Sequence, residues 1–190
     1  MAQFKSLRVR ITGESPLLLH NGQLCNPLND WAKKIKTVTS KRKKTDADHA
    51  EVARLEWYGS MYLHDGKPCI PGEVIEGAIV NGAKKNKMGP RAKGGIYCEG
   101  NWPISNGGAD LSNLEELWKS QKYNLLTPVK VGQAKIMRSR PRFDQWSIDE
   151  VEIKYDPAIV NESDVLDCLK SADGIGDWRP KFGRFSVSKI

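Results

Sequence analysis

Four short runs of lysine and arginine, none of which contains an acidic residue, hold 19 of the 30 basic residues of the chain. The first run contains Lys33, Lys34, Lys36, Lys41, Arg42, Lys43 and Lys44, and the second contains Lys84, Lys85, Lys87, Arg91 and Lys93. The third contains Lys135, Arg138, Arg140 and Arg142, and the fourth contains Arg179, Lys181 and Arg184. Like charges at this density repel one another unless water or a polyanion surrounds them. The runs therefore indicate either solvated loops or contacts with phosphate groups.

Aromatic side chains accompany three of the four basic runs. They are Trp31 beside the first run, Phe143 and Trp146 beside the third, and Trp178, Phe182 and Phe185 around the fourth. Single-stranded nucleic acid is held by basic side chains along its backbone and by rings on which its bases stack. The pattern favours a single-stranded polynucleotide, and burial in a hydrophobic core is the alternative for each ring.

The composition of the 190 residues is that of a folded protein with a net charge of +7. Apolar residues make up 39% of the chain, and no apolar stretch approaches the roughly 20 residues of a membrane-spanning helix. The basic runs also lack the apolar helical face that a membrane surface requires. Because the four cysteines (Cys25, Cys69, Cys98 and Cys168) form no CxxC pair, their spacing predicts neither a zinc site nor a disulfide framework. We expect a cytoplasmic protein with no membrane contact, no metal and no cofactor.

Periodicity locates the strands that must position the basic runs. Alternating apolar and charged residues predict strands at residues 7–11 and 151–155. The Asp65-Gly66 dipeptide predicts a tight hairpin between residues 60–63 and 67–70. Further strand-like segments lie at residues 96–98, 129–131, 134–137 and 185–187.

Helical patterns fill the intervals between these strands. A helix is predicted from Asp46, as its N-cap, to Gly59, and shorter ones at residues 112–118 and 163–172. In residues 73–85 the apolar positions share one helical face, and Gly77 and Gly82 suggest close packing against a sheet. The order predicts one α+β domain, residues 1–190, built on an RRM-like or ferredoxin-like antiparallel sheet with a βαββαβ core. Helices would cover one sheet face, with long basic loop insertions near residues 17–45 and 84–95.

Two segments have the most specific patterns in the chain. In CIPGEVIEGAIVNGAK, an expected strand ends at Pro-Gly and a helix begins at once, so backbone N–H groups of residues 72–74 could face a phosphate. In GIGDWRPKFGRF, Gly174, Gly176 and Gly183 permit a tight backbone path beside three basic residues. The second pattern is also that of an ordinary helix-to-strand turn.

Taken in this order, the two segments resemble those of the RAMP superfamily, the RRM-like proteins of CRISPR effector complexes, and especially their guide-binding backbone subunits. Ile70, Pro71, Gly72, Ile75 and Gly77 match the family's segment after a hairpin, and Gly174, Gly176, Arg179, Gly183 and Arg184 resemble its Gly-rich loop before the last strand. RITGESPLLLH is also similar to the family's first strand. The likeness covers about a third of the chain closely.

The resemblance implies an antiviral-defence ribonucleoprotein. Its backbone subunits bind a single-stranded guide RNA, stack side by side along it with copies of themselves and other effector subunits, and kink it with a long loop. The candidate loops here are residues 21–45 and 84–95. The RNA-binding candidates are the basic residues of the four runs other than Lys135, together with Gly174, Gly176 and Trp178.

Two alternatives remain open from the sequence. Some relatives cut RNA with an aspartate in the first long loop, and Asp30 is the candidate there for a metal-dependent RNA endonuclease. No Ser-His-Asp order, Walker loop or zinc spacing is present, so the sequence does not establish an enzyme. The other alternative is a standalone protein from a mobile element that binds DNA or a protein partner.

Overall fold

The computed structural model describes residues 3–190. The strands are β1 (Lys5–Gly13), β2 (Leu17–Leu18), β3 (Leu63–His64), β4 (Lys67–Pro71), β5 (Ile96–Tyr97), β6 (Asn101–Pro103), β7 (Asn124–Val131), β8 (Ala134–Phe143), β9 (Ser147–Tyr155) and β10 (Phe185–Lys189). The helices are α1 (Asp30–Thr39), α2 (Asp46–Gly59), α3 (Gly72–Lys85), α4 (Gly89–Gly95), α5 (Leu114–Lys119) and α6 (Glu162–Lys170), with a 3-10 helix at Gly22–Cys25. The protein is of the α+β class with antiparallel sheets, which confirms that part of the prediction.

Contacts between residues divide the chain into two compact units. Among the described residues, unit 1 combines residues 3–17, 63–112 and 143–190, and unit 2 combines residues 18–62 and 113–142. Each unit is therefore assembled from segments that are distant in the sequence.

The main sheet of unit 1 has the strand order β10-β1-β9-β5, and each neighbouring pair is antiparallel. In β1, Leu7, Val9 and Ile11 are buried while the residues between them are exposed, as the alternation predicted. Their registered partners Ile153 and Val151 on β9 are also buried. One face of this sheet is thus packed on the core of unit 1.

Helix α3 packs against α6 through the apolar face that the sequence predicted. Ile75 and Ile79 are fully buried. At Gly82 the two helices approach so closely that an added Cβ would lie 1.8 Å from the backbone oxygen of Cys168. The prediction of close packing at Gly82 is confirmed, but the neighbour is a helix and not a sheet. At Gly77 the prediction was wrong, because an added Cβ would meet nothing within 4 Å.

The predicted hairpin at Asp65-Gly66 is present as β3 and β4, paired from Leu63↔Pro68 to His64↔Lys67. Asp65 (φ +50°) and Gly66 (φ +74°) both adopt the left-handed conformation that a two-residue turn of this kind needs. Strand β6 adds to the far side of β4 and makes a second, three-stranded sheet in unit 1.

Unit 2 is organised around α2 and the long hairpin of β7 and β8. Trp57 of α2 is fully buried, and its indole N–H donates to the backbone oxygen of Tyr123 at 2.7 Å. Beside it, the buried carboxylate of Glu56 accepts from the Arg138 guanidinium and from the backbone N–H of Ser139 at 3.0 Å. These contacts attach the hairpin to α2.

The two predicted loop insertions contain more helix than expected. Within residues 17–45, α1 extends from Asp30 to Thr39 and is capped by the Asn29 side chain. Within residues 84–95, α4 forms despite its glycines, because Ala92 is fully buried and Gly95 packs against Ile159. Its proline stands in the first turn, where a missing N–H costs little.

The N-terminal cap of α2 also differs from the prediction. Thr45, not Asp46, is the N-cap residue, and it forms a capping box with Asp48. The side chain of each bonds to the backbone N–H of the other. Asp46 is the first residue of the helix itself.

No helix within residues 3–190 combines the length and the apolar character that crossing a membrane requires.

Candidate functional site

The Gly-rich segment of residues 174–183 forms a compact loop between α6 and β10. Gly174 (φ +135°) and Gly183 (φ +72°) face each other, and the backbone N–H of Ile175 donates to the oxygen of Gly183 at 2.9 Å. A Cβ on Gly183 would lie 1.7 Å from the backbone oxygen of Ile175. Both glycines are therefore required by the close approach of the two sides of this loop.

Hydrogen bonds fix this loop to the end of β1. The N–H of Gly183 donates to the oxygen of Pro16 at 2.8 Å, and the N–H of Arg184 donates to the Ser15 hydroxyl at 2.9 Å. The N–H of Glu14 donates in turn to the oxygen of Arg184 at 2.8 Å. The loop is thus held on the main sheet of unit 1.

A cleft of about 500 Å³ lies between this loop and the C-terminal part of α3. It is lined by Asn81, Lys84, Lys85, Asp173, Gly176, Asp177, Trp178 and Arg179. The cleft brings the first two lysines of the second basic run together with the first arginine of the fourth run. It also contains Trp178, an aromatic residue that the sequence associated with base stacking.

The charges in the cleft are partly balanced. Lys85 forms an ion pair with Asp173 at 2.5 Å, and Lys84 donates to the Asn81 side chain at 3.3 Å. Arg179 is exposed and makes no ion pair with any residue in the range 3–190. A phosphate entering the cleft would meet three cations, of which Lys84 and Arg179 are not committed to a carboxylate.

The remaining candidates of the second and fourth runs lie outside the cleft lining. Arg91 donates to the backbone oxygen of Ile159 and so holds α4 in place. Lys181 lies 5.5 Å from the centre of the Phe182 ring. Lys87, Lys93 and Arg184 have exposed side chains.

The first basic run lies in unit 2, and all seven of its side chains are exposed. Lys33 is 3.9 Å from Asp30, and Lys34 lies 4.9 Å from the centre of the Trp31 ring. Lys36, Arg42, Lys43 and Lys44 make no ion pair within residues 3–190. This run therefore presents a largely uncompensated positive charge.

Lys41 is the exception in this run, because its ammonium group donates to the Asp48 carboxylate at 2.5 Å. This bond, together with those from Thr45, lowers the pKa of Asp48 from its ordinary 3.8 to about 2. The depressed pKa means that these contacts favour the capped start of α2 above pH 3.8 and are lost as the pH falls through about 2.

We predict that replacing Lys41 with alanine will raise the pKa of Asp48 toward 3.8, because the largest cause of its depression is removed. A ¹³C NMR titration of the Asp48 carboxyl carbon measures this directly. Lys43→Ala, in the same run but without a bond to Asp48, is the control. An unchanged pKa of Asp48 in Lys41→Ala would show that the bond from Lys41 does not cause the lowered pKa.

The third basic run is only partly on the surface. Arg138 is paired with buried Glu56, and Arg140 is itself buried with 7% exposure. Phe143 and Trp146, the rings beside this run, are also buried, and the Trp146 N–H donates to the backbone oxygen of Ser15. These two rings belong to the core of unit 1, so the prediction of base stacking fails for them.

The start of α3, where the sequence suggested free N–H groups, is partly closed. The N–H of Gly72 donates to the backbone oxygen of Gly100 at 2.8 Å. A Cβ at Gly72 would lie 1.7 Å from the backbone oxygen of Cys98. Gly72 is therefore explained by packing against residues 98–100, and its N–H is not available to a phosphate.

Ion pairs cover the exposed face of the main sheet of unit 1. Arg8 of β1 pairs with Glu150 of β9 at 3.2 Å, and Lys154 of β9 pairs with Glu99 at 2.9 Å. Since acidic and basic side chains alternate on this face, it offers less free positive charge than the cleft beside the Gly-rich loop.

The surroundings of Asp30 do not favour a role as a metal ligand. Asp30 is the first residue of α1, its side chain is 88% exposed, and its nearest charged partner is Lys33. No group of three or more His, Cys, Asp or Glu residues within residues 3–190 could hold a metal ion.

Burial raises the pKa of the Cys69 thiol to about 11 and that of the Cys98 thiol to about 12, which makes both poor nucleophiles at neutral pH.

Sequence reasoning missed four residues beside the basic runs. Asn81 lies one helical turn before Lys84 and Lys85, so its spacing could have placed it in the cleft. Asp173, which pairs with Lys85, gave no comparable signal. Tyr58 and Arg54 of α2 lie against the first run, and only the packing of α1 on α2 brings them there.

No protein-family model matches the chain, and no curated protein matches it either.

Proposed function

We propose that this protein binds single-stranded RNA as a guide-binding backbone subunit of a CRISPR-type ribonucleoprotein. The observation that carries the proposal is the cleft in unit 1, where Lys84, Lys85 and Arg179 from two distant basic runs meet around Trp178 and the Gly-rich loop. Cations that bind phosphates and a ring that can stack on a base are the two requirements of a single-strand site.

The strand order supports a RAMP-like reading of unit 1. We propose that β1-α3-β5 and β9-α6-β10 are the two halves of a ferredoxin-like βαββαβ core. The order β10-β1-β9-β5, with all neighbours antiparallel, is the one that such a core requires. In this reading the Gly-rich loop stands between the last helix and the last strand, as it does in the RAMP superfamily.

The β7–β8 hairpin adds a second indication of an anionic partner. Near its turn, Lys130 and Lys135 are directly opposite each other in register, and both are exposed. Like charges at such positions destabilise a strand pair. A phosphate chain lying across the two strands would relieve that repulsion.

The further parts of the proposal concern assembly and location. Copies of the chain would stack side by side along the guide, with other effector subunits, in the cytoplasm and in the service of antiviral defence. The four cysteines are free, and three of them are buried, which agrees with a reducing compartment.

The test neutralises the cleft with the triple variant Lys84→Gln, Lys85→Gln and Arg179→Gln. Each phosphate contact on a single strand adds about 0.7 to the slope of log K against log salt. We expect the triple variant to lower that slope by about 2 and to weaken binding of a labelled uridine oligonucleotide at low salt. Fluorescence anisotropy over a series of salt concentrations measures both quantities.

A control with the same net charge replaces three exposed lysines elsewhere, Lys5→Gln, Lys122→Gln and Lys170→Gln. It should keep nearly all of the wild-type slope. If both triple variants lowered the salt slope and the affinity equally, binding would depend on net charge and not on the cleft residues, which would contradict the proposal. Purified protein free of nucleic acid and without affinity for RNA would also contradict it.

A further inference from the structure

The pairing of Trp31 with Tyr58 joins the first basic run to α2 within unit 2. Their rings are stacked, with centroids 5.6 Å apart and planes 9° apart. Lys34 lies 4.9 Å from the centre of the Trp31 ring, and the Arg54 guanidinium carbon lies 5.5 Å from the centre of the Tyr58 ring. The four side chains form one cluster, which we call the Trp31 cluster.

The Trp31 cluster lies at the surface of unit 2. Trp31 and Tyr58 are half-buried, whereas the adjacent Trp57 is fully buried. The Cβ of Trp31 is nevertheless packed against Gly59 of α2, because an added Cβ on Gly59 would lie 3.0 Å from it. The ring is thus held in a fixed position by Tyr58 and the Gly59 region and remains partly exposed.

Helix α1 packs on α2, but its apolar stripe is covered only in part. Trp31, Ile35 and Val38 recur at helical spacing and are all only half-buried, and α1 contains no buried residue. Lys33, Lys34 and Lys36 border this stripe. An apolar stripe edged by lysines suits a partner that carries both flat apolar groups and negative charge.

The charge around the cluster distinguishes between possible partners. Glu51 lies beside the cluster, and both of its carboxylate oxygens accept from Arg54, at 2.8 and 2.9 Å. The bidentate bond holds the guanidinium beside Tyr58, while Lys34 and Lys36 of α1 make no ion pair within residues 3–190 and can meet an incoming phosphate. An acidic peptide would satisfy those lysines but would leave the aromatic stripe uncovered.

We propose that the Trp31 cluster stacks unpaired nucleobases and so makes the protein prefer single strands to duplexes; this inference rests on the proposed function. Bases in a duplex are already stacked and cannot lie against Trp31, whereas bases of a single strand can. The contact does not depend on base identity, because every base has a π-face. Lys34 and Lys36 would then contact the adjoining phosphates.

The experiment compares three ligands by fluorescence anisotropy: a short labelled uridine oligonucleotide, a chain of abasic deoxyribose phosphates of equal length, and an RNA duplex. In Trp31→Leu, which keeps an apolar stem but has no ring, we expect about tenfold weaker binding of the uridine strand, within the range for loss of one stacked base. Binding of the abasic chain and of the duplex should not change. Trp31→Phe should recover most of the loss, and Leu28→Ala, at a residue 73% exposed near the start of α1, should have no effect.

A measurement on the wild type makes the test independent of how well the variants fold. Photocrosslinks from a 4-thiouridine strand should map to the tryptic peptide that ends at Lys33, which contains Trp31. The inference is overturned if Trp31→Leu binds the uridine strand as tightly as the wild type, or if its affinity for the abasic chain falls by the same factor. It is also overturned if no crosslink reaches that peptide. Wild type that binds no RNA at all would instead refute the proposed function itself.

Discussion

Replacement of Gly82 with alanine is expected to lower the free energy of unfolding by at least about 3 kcal/mol, at the upper end of what overpacking costs. The new Cβ would lie 1.8 Å from the backbone oxygen of Cys168, so it would meet main chain and not a flexible side chain. Relief requires that α3 and α6 move apart, and this exposes Ile79 and Leu169, which are fully buried. Urea-induced unfolding followed by circular dichroism measures the change.

Gly77 provides a matched control within the same helix. An added Cβ there meets nothing within 4 Å, and the residue is helical. Alanine should therefore stabilise the protein by roughly 0.5–1 kcal/mol, because it restricts the unfolded chain and favours helix. If the two alanine variants had similar stability, the close contact between α3 and α6 would be wrong.

Replacement of Arg138 with methionine is expected to cost about 3 kcal/mol, near the lower limit for breaking a buried ion pair. The Glu56 side chain is only 5% exposed, and the change would remove the guanidinium from its carboxylate and leave it the N–H of Ser139 as a donor. An uncompensated buried charge accounts for most of such a loss. Thermal and urea unfolding of the variant test this value.

Two further variants distinguish the loss of the ion pair from other effects of the Arg138→Met substitution. Lys135→Met, at an exposed position of the same strand, should stay within about 0.5 kcal/mol of the wild type. The double variant Glu56→Leu/Arg138→Met should be more stable than Arg138→Met alone, because it removes both charges. A stability of Arg138→Met close to that of the wild type would show that Glu56 does not depend on this arginine.

The Arg138 result also bears on the RNA-binding candidates. The sequence grouped Arg138 and Arg140 with exposed lysines because all belong to a run without acids. The role of Arg138 depends on Glu56, which lies more than 80 residues earlier and becomes its neighbour only when the hairpin packs on α2. A linear pattern of charge cannot distinguish an arginine that pairs with a buried carboxylate from one that faces water.

Sequence patterns predicted those elements of the fold that are determined by interactions between residues close together in the chain. The alternation in β1, the amphipathic face of α3 and the turn at Asp65-Gly66 each depend on residues within a few positions of one another, and each was predicted. Helix α4 was missed because its formation depends on the burial of Ala92 and on contact with Ile159, which override the weak helix propensity of glycine.

The candidate site, like the fold, could be predicted from the sequence only in part. The sequence identified the Gly-rich loop and the basic runs, since glycine and charge are visible in the chain. That Lys84 and Arg179 line the same cleft could not be derived from the sequence, because this proximity arises from the packing of the loop beside α3. The Trp31 cluster likewise requires the contact between α1 and α2.

The central position of β1 in the main sheet has a consequence for synthesis on the ribosome. Its neighbours β9 and β10 lie more than 130 residues later in the chain. Strand β1 therefore leaves the exit tunnel long before either partner exists, and its apolar residues stay without a sheet until then. Both segments of unit 2, residues 18–62 and 113–142, have been translated by that time. We expect unit 2 to acquire structure on the nascent chain and unit 1 to fold last.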